Sequence, residues 1–132
     1  MNRILLMCCL FLFFHQGYAQ NEKTQKGAII TWKESTHDFG DIIQGDKVEH
    51  TFQFTNTGNL PLIITNVEVT CGCTTPKGWP RDPIASGETG ELTIAFNSAG
   101  KIGKQRKVVT IISNSVGTNN QLIFSANVLE KK

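Results

Sequence analysis

Three observations predict an all-β fold for this chain. Apolar and polar residues alternate with period two over most of its length, turn-forming clusters recur every ~8 to 12 residues, and no 3.6-residue apolar repeat stands out beyond residue 19. About seven short strands at that spacing pack best as two face-to-face sheets. The expected architecture is therefore an immunoglobulin-like antiparallel β-sandwich.

Taken in order, a first strand is expected over residues 28–33 and a short one near 37–42. In KVEHTFQFTN, Val48, His50, Phe52 and Phe54 share one parity, with charged and polar residues on the other. That is the pattern of a strand with one buried face. Residues 91–97 repeat it through Leu92, Ile94 and Phe96, and residues 121–130 through Leu122, Phe124, Ala126 and Val128. Residues 60–70 and 107–113 carry β-branched side chains on both parities, as central strands do, or strands that change face at a bulge. The core is assigned to Phe52, Phe54, Leu92, Ile94, Phe96 and Phe124. Gln44-Gly45-Asp46, residues 56–59, Ser86-Gly87, and residues 97–103 and 114–120 supply the turns, because Gly and Asn accept positive φ. Residues 71–86 are expected to form one long irregular but ordered loop, since they hold three of the four prolines and one of the two tryptophans.

Residues 1–19, MNRILLMCCLFLFFHQGYA, place one cation before an apolar block and small residues before position 20. This is the pattern of a secretory signal peptide, cleaved before Gln20. The block is much shorter than the ~18 to 20 residues a membrane span needs. Cys8 and Cys9 lie inside it rather than at the cleavage point, which argues against a lipoprotein. Cleavage would leave a flexible segment over 20–27 and a single domain over 28–130, exported to the periplasm or beyond the cell and monomeric. Net charge falls from +2 to +1, because Arg3 is the only charged side chain removed. A balance so close to zero points to neither nucleic acid nor an anionic membrane as partner.

Phe39-Gly40, Gly45, Phe52, Phe54, Asn56, Gly58, Pro61-Leu62, Cys71-Gly72-Cys73-Thr74, Pro76, Trp79-Pro80, Pro83-Ile84, Gly87, Gly90 and Phe96 follow one another in a specific order and spacing. Across residues 37–128 this pattern resembles DUF1573, a family of exported bacterial domains of unknown function that is similar to Hydin-like immunoglobulin-type modules. The resemblance implies a sandwich outside the cytoplasm and brings no activity with it. Ser86 departs from the pattern, which has proline before the glycine.

No catalytic set emerges from the pattern. His50 sits mid-strand on the apolar face, where a histidine is more often a hydrogen-bonded core or rim residue than a base. His37 and Asp38 read as a solvated strand edge, and the carboxylates are scattered over turns and outward parities. The basic run 101–107 reads as a hairpin entry that discourages edge pairing. Trp79, between Gly78 and Pro80, is expected to be the most exposed aromatic: a partner-binding anchor, or else a lid on the core. The functional reading is a non-catalytic exported interaction or structural module whose partner is a cell-envelope protein or glycan.

The rival reading is a copper(I)-binding or thiol-redox protein, and it rests on Cys71 and Cys73. A regular strand would hold their Cα atoms roughly 6.5 to 7 Å apart, at or past the disulfide limit, and Gly72 is expected to let the backbone fold sharply enough to close that gap. Three states are open: a local disulfide, two packed thiols, or a metal pair. Two thiolates are too few for structural zinc unless the fold brings His37 and His50 close. Copper(I), which accepts fewer and softer ligands, is the cofactor this alternative implies.

Overall fold

The computed structural model describes residues 26–118 and 120–132. The expected signal peptide, and the segment 20–27 up to residue 25, lie outside them. Gly27 belongs with the sandwich, because its N–H donates to Asn59 Oδ1 and its carbonyl accepts from the Asn59 N–H.

Among the described residues, eight strands form two four-stranded sheets. They are β1 (Ile30–Trp32), β2 (Thr36–Ile43), β3 (Lys47–Asn56), β4 (Ile64–Val69), β5 (Thr74–Pro76), β6 (Thr89–Asn97), β7 (Gly103–Ser113) and β8 (Gln121–Leu129). One sheet runs β1-β3-β6-β5 and the other β2-β8-β7-β4. Among the described residues no helix is long and apolar enough to cross a membrane.

The core lies between the sheets, where period-two alternation places it. Phe52, Phe54, Leu92, Ile94, Phe96 and Phe124 are all buried, joined by Leu62, Ile111 and Leu122. The Phe96 and Phe124 rings meet across the sheets at 5.4 Å. Burying side chains of this size is the main favourable term in folding such a domain.

The expected architecture needs two amendments. The eighth strand, β5, lies inside the segment expected to be irregular, where Thr74, Thr75 and Pro76 pair with Phe96, Ala95 and Ile94 of β6. Pro76 is tolerated because β5 is a sheet edge, where a missing N–H costs no ladder bond. Secondly, not all the pairing is antiparallel, since β2 runs parallel to β8. The chain leaves β1 in one sheet, crosses through residues 33–35, and joins the other sheet beside its C-terminal strand. Such a crossing frees β2 from hairpin geometry and allows the parallel pair. The register of β2 shifts between Asp38 and Asp41, and Gly40 takes φ +72° there.

The strand expected over 107–113 begins earlier, within the basic run. Residues from Gly103 onward form the first half of β7, paired with β8 along one side. The β4 ladder starts only at Val109, so the other side of that half carries no named strand.

Candidate functional site

Asn56 ties together the turn that ends β3. It is fully buried, its Nδ2 donates to the carbonyls of Leu60 and Ile84, and its Oδ1 accepts from the N–H groups of Ile29 and Gly58. A Cβ on Gly58 would lie 2.2 Å from the Gly27 carbonyl oxygen, so only glycine fits. The Asn56 and Gly58 positions are therefore structural.

Cys71 and Cys73 stand at the turn that enters β5. Their sulfurs are bonded, with Cα atoms 5.3 Å apart, and both residues are half-buried. The Thr74 N–H donates to the Cys71 carbonyl and the Asn97 N–H to the Cys73 carbonyl, so a tight turn docked on β6 brings the two residues together. Gly72 contributes less than its identity suggests. It does not take positive φ, and a Cβ built on it meets nothing within 4 Å. In this disulfide form neither sulfur offers a thiolate to copper(I).

Trp79 is half-buried and packs against the core, the placement of a lid and not that of a fully exposed anchor. The Arg81 guanidinium lies 3.9 Å from the centre of the indole, a cation–π contact that occupies one ring face. Its Nε1 is buried without a hydrogen-bond partner among the described residues.

The histidines meet each other instead of the cysteines. His37, on β2, and His50, on β3, stack across the gap between the sheets with ring centres 3.5 Å apart and planes within 9° of parallel. The edges of Phe39 and Phe52 flank the pair at 4.7 Å each. His50 Nε2 donates to Glu34 Oε1 at 2.5 Å, and Glu34 lies in the link that carries the chain from one sheet to the other. His37 does lie on an edge strand, as expected, but its half-buried ring faces inward and not into solvent, on the parity of its register partner Phe124. Burial, followed by the charge of neighbouring His50, lowers the His37 pKa below the ordinary imidazole value, against the opposing pull of Glu34 and Asp38. Glu34 was not among the expected site residues. Its only signal in the sequence is the Glu34-Ser35-Thr36-His37 spacing, whose meaning depends on the crossing.

The cysteine pair is remote from this trio. Cys73 docks on Asn97, Asn97 pairs with Lys47, and Lys47 is three residues from His50 along β3. Two strand spacings alone amount to about 10 Å.

Comparison with solved structures identifies the same architecture elsewhere. A protein of unknown function from Porphyromonas gingivalis W83 superposes with TM-score 0.65 at 20% identity, over 79% of this chain and 48% of that one. The ASH/PapD-like domain 7 of human CEP192 gives 0.58 at 11%, over 80% and 89%. The VesB protease of Vibrio cholerae gives 0.56 at 15%, over 78% and 32%. The chain thus spans about half or less of the bacterial proteins it resembles, and at these identities the likeness concerns the fold alone. No curated protein matches it. Residues 30–128 match the family described as "Protein of unknown function (DUF1573)", and the chain belongs to that family.

Proposed function

We propose that this protein is a non-catalytic exported interaction module that docks a cell-envelope protein on the outer face of the β2-β8-β7-β4 sheet. The observation that carries the proposal is a row of aliphatic side chains at the ends of β2 and β8 and in the turn that enters β7. Ile43 and Leu129 are register partners, and the Gly103–Val128 pairing sets Ile102 beside Leu129. These three are 44%, 40% and 54% exposed, although each belongs to a residue type that ordinarily seeks the core. Contiguous exposed apolar groups with a polar rim mark contact surfaces.

The rim carries both signs of charge. Lys104 and Arg106 of β7 are exposed beside Asp38 and Asp41 of β2, an arrangement that suits a partner whose own charges alternate around an apolar anchor. Branched aliphatic side chains offer no flat ring on which a sugar would stack, so a protein fits this face better than a glycan.

Site-specific photocrosslinking in the exporting cell tests the reading. A crosslinker at position 129 should give one discrete adduct that disappears in Lys104→Glu/Arg106→Glu, while a crosslinker at Thr31, on the opposite sheet, should give none. Equal adducts from both positions, or adducts only with a second copy of this chain, would overturn it.

A further inference from the structure

We propose that Glu34, His37 and His50 bind a divalent transition-metal ion of the zinc class, at the opening where the chain crosses between the sheets. The three side chains come from three separate segments, β2, β3 and the 33–35 link, and each offers one ligand atom within 4.8 Å of the other two. Two imidazoles and one carboxylate are the donor set of many open zinc sites, in which water completes the coordination. Hard cations such as magnesium and calcium prefer all-oxygen ligands, so the two nitrogens select a transition metal.

The geometry also dictates how the ion must enter. Ligand bonds of about 2.1 Å at tetrahedral angles hold the donor atoms roughly 3.4 Å apart, whereas His50 Nε2 and Glu34 Oε1 now lie 2.5 Å apart and the three donors within 4.8 Å of one another. Glu34 is free to adjust, because its side chain is 50% exposed and lies outside any strand. The imidazoles cannot both bind as they stand. Their lone pairs lie in the ring planes, and parallel planes 3.5 Å apart do not converge on one point. One ring must turn out of the stack, and the ion must replace the hydrogen bond between His50 and Glu34. Loading would thus exchange ring stacking for coordination. His50 is 21% exposed in its side chain, which leaves a path from solvent.

The test is calorimetric titration of purified, chelator-stripped protein with zinc chloride at neutral pH, alongside imidazole-proton NMR. One ion should bind per chain, and the ring signals of both histidines should shift together at one equivalent. His50→Gln and His37→Gln should each weaken binding beyond the roughly 10- to 100-fold that loss of an outer-shell partner costs. Glu34→Gln changes only a half-exposed side chain in a link and so keeps the fold; it should also weaken binding, which carries the test even if a histidine variant misfolds. Cys71→Ser/Cys73→Ser should bind zinc as wild type does. The proposal is overturned if wild type shows no stoichiometric binding at micromolar zinc, if Glu34→Gln binds equally well, or if the cysteine variant loses the ion.

Discussion

The phenyl ring of Phe54 occupies the space a side chain at position 90 would need. The two residues face each other in the β3–β6 ladder, and a Cβ built on Gly90 lies 2.5 Å from the tip of the ring. Trp32 closes the arrangement, with its ring edge-on to Phe54 at 5.1 Å. Glycine at this strand position serves packing, not backbone conformation.

Gly90→Ala is therefore expected to destabilise the fold by about 1 to 3 kcal/mol through overpacking. Phe54→Leu alone should also destabilise it by leaving a cavity, but the double variant should be more stable than the two single costs predict. A denaturation double-mutant cycle measures this coupling. Additive costs would mean that the ring yields without strain.

Asn56 should tolerate nothing smaller or apolar. Its side chain satisfies two backbone carbonyls and two backbone N–H groups at the end of β3. Each buried group left without a partner costs about 1 to 3 kcal/mol, so Asn56→Ala should lower stability by roughly 3 kcal/mol or more. Urea denaturation followed by tryptophan fluorescence reads this directly, and a loss of less than about 1 kcal/mol would mean that water replaces the amide.

Gly72→Ala is expected to be silent. With no positive φ and open space around the position, the variant should oxidise fully, by mass spectrometry, and unfold within about 0.5 kcal/mol of wild type. The bridge itself encloses so short a loop that Cys71→Ser/Cys73→Ser should cost no more than about 1 to 2 kcal/mol. A larger loss would show that the bridge holds β5 on the sheet.

In metal-free protein, His37 should make stability depend on pH. Its folded pKa is depressed, chiefly by burial, so below the ordinary value near 6.5 the unfolded chain binds more protons than the folded one. Stability should be level above about pH 7 and fall as pH drops through 6.5 toward the depressed folded value. The groups facing His37 are His50, Glu34 and Asp38, and the two carboxylates moderate the effect. Melting temperatures from pH 5 to 8 should show a shallower acid slope for His37→Gln. An unchanged slope would assign the dependence to another group.

Period-two patterning was enough to place the fold and its core, because a side chain's side of the sheet follows from its parity alone. It put Phe52, Phe54, Leu92, Ile94, Phe96 and Phe124 inside, where all six are buried. Parity says nothing about which strand lies beside which. The parallel β2–β8 pair, the short β5 and the passage through residues 33–35 depend on contacts between distant segments. The same limit applied to the chemistry. Cys71 and Cys73 were conspicuous because they are neighbours in sequence, and the tertiary structure supplied the turn that joins them. His37 and His50 read separately as an edge residue and a rim residue. Only the packing of one sheet on the other, with the chain crossing between them at Glu34, turned two unremarkable histidines and a loop carboxylate into a single cluster.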